Sequence, residues 1–220
     1  MGVSERKERE KRERRAAIVD AAERLFFERG YTLTTMDDIA RVSQLAKGTL
    51  YLYAKNKEEL FHAVALRGLE ILLALCDSQV AAQTRGIDKV MAYGQALTIF
   101  YRQHTAYFLL MSSDPDQAIA NDDTPTNLAL EQISVRLIEQ ITSAIQVGKD
   151  DGTIRSDVPP KETALVLAFT IQAVLRATMP NDAGLQRLFA TSAEAVIAAY
   201  FSLIQRSLST NLSSSAMNFA

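Results

Sequence analysis

Residues Thr34–Leu60 read TTMDDIARVSQLAKGTLYLYAKNKEEL, and this stretch decides the fold. Thr35 followed three residues later by Asp38 has the form of a capping box, so a short helix is expected at about 36–42. Ile39 and Ala40 give that helix an apolar face. A second short helix fits 46–52, with Leu45 and Leu50 placed to pin it onto the first. A helix of this length is not stable alone and must lean on its neighbours. Asn56 with Glu59 three residues on opens a third, longer helix carrying Leu60, Phe61, Val64 and Leu72.

Outward from this stretch the pattern stays helical. Upstream, Ile18, Ala21, Ala22, Leu25 and Phe26 recur at helical spacing, and Gly30 is expected to stop that helix. Before it, SERKEREKRERR at residues 4–15 alternates charge signs. It reads both as a solvated helical extension with ion pairs three and four apart and as an arm for a polyanion. Downstream, residues 87–113 read as two helices with a break near His104 or Thr105. Residues 114–126, DPDQAIANDDTPT, form an acidic loop. Helices are expected at about 127–147, 160–178 and 183–207, with breaks at GKDDGTIRSDVPP and at Pro180–Asn181. The tail from Ser209 is expected to fray. No segment alternates as a strand, so the fold class is all-α: an N-terminal three-helix helix-turn-helix domain over 1–60 (1–14 its charged extension), a larger helical domain over 61–208, and a flexible tail over 209–220.

Bulk properties narrow the function. The 220-residue chain is 48% hydrophobic and 23% charged, ordinary for a globular protein. Residues 1–57 carry 13 Lys/Arg against 9 Asp/Glu, net +4, which leaves −6 for the remainder of a chain of net charge −2. A basic head on an acidic body aims one end at a polyanion. We expect no stretch of eighteen apolar residues and no signal peptide, hence no membrane partner and a cytoplasmic location. Cys76, the one cysteine, is read as a small core residue. His62 and His104 are too far apart for a metal motif, so no metal or cofactor is expected. No nucleophile–base pair, paired carboxylates or phosphate-cradling glycine loop is present, so an enzyme is not expected.

The outer face of the short helix at 46–52 shows Lys47, Gly48, Thr49 and Tyr51. Small side chains let the backbone approach a groove, Lys47 supplies charge, and hydroxyls on Thr49, Tyr51 and Tyr53 can donate to phosphates. For Tyr51 core packing is the competing reading, and Leu50 is expected to be buried.

Four segments in order, AAERLFFERGY at 21–31, TTMDDIA at 34–40, KGTLYLY at 47–53 and KNKEEL at 55–60, resemble the DNA-binding domain of the TetR family of repressors. The resemblance implies that Thr35 and Lys57 meet phosphates at helix starts, that Lys47, Gly48 and Thr49 lie on the recognition helix, and that Tyr51 and Tyr53 contact phosphate or the groove wall. Three positions depart from the family pattern. Gln44 stands where glycine is usual, at a left-handed turn costing about 1 kcal/mol; Ala46 stands where a capping Ser or Thr is usual, costing about 1 kcal/mol more; Ala54 replaces an aromatic, loosening packing below the short helix. Gln44 is also a candidate DNA contact.

The resemblance further implies a homodimer on double-stranded palindromic DNA, repression released by a small-molecule effector, and a dimer interface from the last two long helices. Candidates for that interface are Ile171, Leu185, Leu188, Phe189, Val196, Tyr200 and Leu203. Candidates for the effector pocket are Phe100, Tyr101, His104, Tyr107, Phe108 and Met111, although such an aromatic stripe also suits plain core. An activator, a partner-controlled regulator and a helical ligand-binding protein without DNA binding are the other readings.

Overall fold

The computed structural model describes residues 3–112 and 124–210. The first helix, α1 (Val3–Leu33), includes the charged extension, where Arg6–Glu10 and Arg9–Glu13 pair one turn apart. Gly30 breaks it as expected: the chain leaves the helical conformation there, at φ 80°, and one separate turn follows to Leu33. Only glycine adopts that conformation without strain, so Gly30 bends the element and leaves its carbonyl available to the Thr34 hydroxyl, 2.8 Å away.

Next come α2 (Met36–Val42), α3 (Lys47–Leu50) and α4 (Lys57–Ala81). The capping box at Thr35 is formed in both directions, and the Asn56 side chain accepts from the Glu59 amide at 2.8 Å. The third element is shorter than the expected 46–52; residues 51–53 continue it as turns. Ala46 offers no side-chain cap at its start. Then follow α5 (Gly86–Gln103), α6 (Thr105–Ser112), α7 (Pro125–Asp150) and α8 (Pro160–Thr178). The break between α5 and α6 falls at His104, as expected, and α7 extends past its expected 127–147 at both ends.

The expected single helix over 183–207 is two: α9 (Asp182–Phe189) and α10 (Ala193–Leu208). Ala190 takes a left-handed conformation, φ 53°, and Ser192 caps the Ala195 amide. The Asp182 carboxylate also accepts from the Ala193 amide at 2.7 Å. Polar side chains that satisfy the first amides of a new helix compete with continuing the old one. No strand occurs among the described residues, only an isolated bridge between Ile154 and Ser209. Most of the expected acidic loop at 114–126, and of the tail at 209–220, lies outside the described residues.

The chain forms two compact units. One comprises residues 1–70 and 104–133. Its core joins Ile18, Leu25 and Phe26 of α1, Ile39 of α2, Leu50 of α3, and Leu60 and Phe61 of α4. Phe26, Tyr31 and Phe61 pack edge-on or tilted at centroid separations of 5.1–6.4 Å. Ala54 is buried under α3. His62 is buried beside Phe61.

The other comprises residues 71–103 and 134–220. There α5 packs on α8 and α10. Gly94 of α5 lies so close to α10 that a β-carbon would meet the Phe201 ring at 2.5 Å. Cys76 is buried, and burial together with Asp77 pushes its thiol up to about 12. A protonated thiol of this kind is inert, as expected of a core residue. The helical stretch Pro160–Phe189 is long and apolar enough, by length and composition, to cross a membrane. Its apolar side chains are largely unburied, and Pro180 lies in a 3₁₀ turn, Met179–Asn181, that interrupts it.

Candidate nucleic-acid interface

Helix α2, a tight turn and α3 form a helix-turn-helix. The turn is set by Gln44 at φ 55°, the left-handed position where a side chain is strained. The Leu45 amide then closes back on the Ala40 carbonyl at 2.9 Å, and Leu45 packs on the core. Leu50 is fully buried, which fixes the rotation of α3 and decides what faces outward. That outward surface presents Gln44, Lys47, Gly48 and Tyr51, with Thr49 half-buried beside them. Tyr53 turns the other way and leans on the core.

Gly48 has no positive φ, and a β-carbon added there would meet no atom of the protein within 4 Å. The protein's own packing therefore does not require glycine at this position. Leu52, which the sequence reading passed over, is 78% exposed next to Tyr51. The signal was available: two residues beyond the buried Leu50 is roughly the opposite side of a helix.

Two expected phosphate contacts have partners within the protein. The Thr35 hydroxyl donates to Asp38 at 2.7 Å and accepts from the Asp38 amide at 3.1 Å. That hydrogen bonding holds the Asp38 carboxyl below its ordinary value, with Arg41 and Arg29 adding to the effect. Lys57 extends its ammonium across α1, donating at 2.8 Å to the carbonyls of both Tyr31 and Thr34. It also lies 4.1 Å from the Tyr31 ring centroid. The same half-burial lowers the Lys57 pKa by desolvation. Lys47 is paired as well: its Nζ lies 2.7 Å from Oδ1 of Asp37, in the first turn of α2. Composition and spacing did not reveal this pair, because it depends on how α2 and α3 dock.

The effector-pocket candidates are divided between the two units. Phe100 and Tyr101 belong to one unit, with Phe100 fully buried; His104, Tyr107, Phe108 and Met111 belong to the other. Tyr107 and Met111 pack against α4 where Gly68 gives them room, a β-carbon at Gly68 falling 2.9 Å from the Met111 sulfur. The Tyr107 ring is edge-on to Phe27, and its hydroxyl donates to Glu23 of α1 at 2.7 Å. Burial first, and that carboxylate second, push the Tyr107 phenol far up. Arg67 of α4 completes the network, 2.8 Å from Asp20 and 2.9 Å from Glu23.

Of the interface candidates, Leu188, Phe189 and Leu203 are more than half exposed, whereas Leu185, Val196 and Tyr200 are half-buried. Tyr200 shares a 2.8 Å hydrogen bond with Thr170. Ile171 is buried inside its own chain and presents no surface. Val166 and Phe169 of α8, not among the candidates, are strongly exposed.

Residues 18–64 match the family model for bacterial regulatory proteins of the tetR family. Over 153 residues, 70% of this chain and 76% of the relative, the chain is 24% identical to the uncharacterized HTH-type transcriptional regulator YhgD of Bacillus subtilis (strain 168). Among solved structures, the ketosteroid transcriptional regulator KstR2 of Mycobacterium tuberculosis superposes with a TM-score of 0.66 at 19% identity, covering 90% of this chain and 96% of that one. AibR, solved in complex with isovaleryl coenzyme A and operator DNA, superposes with a TM-score of 0.65 at 19% identity, covering 86% and 97%. Residues 18–64 thus carry the helix-turn-helix of the tetR family of bacterial regulatory proteins, and curated relatives that match the chain are HTH-type transcriptional regulators.

Proposed function

We propose that this regulator is a repressor that binds a palindromic operator as a homodimer, reads it with α3, and is released by a small-molecule effector. The observation that carries the reading is Gly48: it sits on an outward face where the protein leaves open space, so its lack of a side chain serves an approaching partner. A major groove of about 12 Å admits such a helix end. Gln44, Gly48, Thr49 and Tyr51 are the proposed contacts, with Lys47 beside them on α3 and Thr35 presenting the start of α2 to a phosphate.

A single three-helix head offers little contact area, so two heads about 34–36 Å apart are needed for tight discrimination. The exposed Val166, Phe169, Leu188, Phe189 and Leu203 on α8, α9 and α10 support a two-fold interface with a second copy. A ligand bound by AibR in its complex with operator DNA supports an effector of the helical body here. Such an effector acts by binding one arrangement of the dimer more tightly than another, which weakens DNA binding reciprocally. A mobility shift across a salt series, on DNA upstream of the protein's own reading frame, tests the whole reading. Steep salt dependence with a palindromic footprint is expected. Salt-insensitive or absent binding removes the repressor assignment.

A further inference from the structure

The Asp37–Lys47 pair invites a question that family membership does not answer. Lys47 is the first residue of the proposed reading helix and the cation best placed to find a phosphate. Yet its ammonium is held at 2.7 Å by an acidic residue on the preceding helix, while both side chains remain well exposed, 59% for Lys47 and 66% for Asp37. Neither is needed for packing. Asp38, the neighbouring carboxylate, is already taken by Thr35, Arg41 and Arg29. Asp37 therefore has no role in the capping box, and its described ion-pair partner is Lys47.

We propose that Asp37 is a specificity-determining residue: by holding Lys47, it withholds a phosphate-seeking cation from DNA of arbitrary sequence. The proposal rests on α3 being the DNA-reading helix. Binding to random DNA draws almost all of its free energy from phosphate neutralisation. A phosphate that takes Lys47 must displace Asp37, and the freed carboxylate gathers a cation from solution. The ion released from DNA is then offset by one taken up, so the contact yields little net counterion release. On the operator the head is seated by base contacts around Gly48 and Thr49. There the exposed pair survives as a tie between α2 and α3, so Asp37 costs less. Hydrogen bonding and attraction to Asp37 also raise the Lys47 pKa, in keeping with a cation already committed to a partner.

The test compares wild type, D37N, K47A and the double variant on two probes. One is a random-sequence duplex of about three helical turns; the other is an operator selected by the wild type from a random duplex pool. For D37N we expect random-duplex affinity to rise about fivefold and its log–log salt slope to steepen by about 1. Operator affinity should change less than twofold, so selectivity falls by nearly the full gain. In the K47A background the D37N substitution should produce no gain. An equal gain in the K47A background overturns the inference, because Asp37 would then act as a repelling charge on its own. Equal gains on both probes, or weaker binding of D37N to both, overturn it too. Wild type binding neither probe would defeat the DNA-reading assignment itself, whereas wild-type binding with an unchanged D37N defeats only the role of Asp37. Thermal unfolding of each variant checks that the head stays folded, as the exposure of both side chains predicts.

Discussion

Lys57 illustrates how a residue's chemistry and its employment part company. Sequence reading placed its charge at a helix start facing a phosphate, but its ammonium reaches back to two carbonyls at the end of α1 and over the Tyr31 ring. Helix ends leave such carbonyls without intrahelical partners, and a charged donor is a strong remedy. Lys57→Ala should therefore lower stability by about 1–2 kcal/mol in thermal unfolding, with the salt slope of DNA binding changing by less than one. A full unit lost from the slope with stability intact would return Lys57 to the DNA. Gly48 makes the opposite forecast. Alanine there gains helix propensity and meets no neighbour, so Gly48→Ala should raise or preserve stability, by up to about 1 kcal/mol, while weakening operator binding at least tenfold. Unimpaired binding would mean that no partner approaches this face closely. Thr49→Ala should shift sequence preference in a binding-site selection more than Lys57→Ala does; identical effects on specific and random duplexes would deny Thr49 a base-reading role.

At the scale of elements, local signals were read correctly where they are strong. The Thr35–Asp38 box, the Asn56 cap and the break at His104 stand as the side chains imply, and the strained turn at Gln44 stands as the family resemblance implied. Gly30 breaks α1 as read, with one separate turn following to Leu33. A misreading came where two tendencies compete. The α9–α10 break hid in an apparent continuous stripe, its cap at Ser192 outweighed on paper by apolar periodicity. The capping box of α2 also carries a pH dependence. Because Asp38 has its pKa depressed in the folded state, its contribution to stability is present above the ordinary value of 3.8. It is lost as pH falls through the lower folded-state value. Asp38→Asn should reduce stability at neutral pH and flatten that acid-side decline; an unchanged acid limb in melting temperature against pH would show that the box does not titrate as a unit.

For the whole molecule, the apolar side chains exposed on α8, α9 and α10 are the surface that the proposed second copy would cover by symmetry. Phe169→Glu combined with Leu203→Glu should convert a dimer to monomer in sedimentation and weaken operator binding by at least about a hundredfold, since each head must then bind without its twin. A dimer that persists would move the interface elsewhere. The same face explains why one stretch, Pro160–Phe189, is long and apolar enough to cross a membrane by length and composition. A helical stretch left apolar for a protein partner passes a membrane-length test, because both environments exclude water. The all-helical class and the three-helix head could be read from residue order alone, because caps, breakers and 3.6-residue periodicity act over a few positions. The pairings that set what those helices do, Asp37 with Lys47, Lys57 with the end of α1, Glu23 with Arg67 and Tyr107, join residues 10 to 84 positions apart. Only the docking of helices brings such groups within hydrogen-bonding reach, and tertiary structure alone decides that.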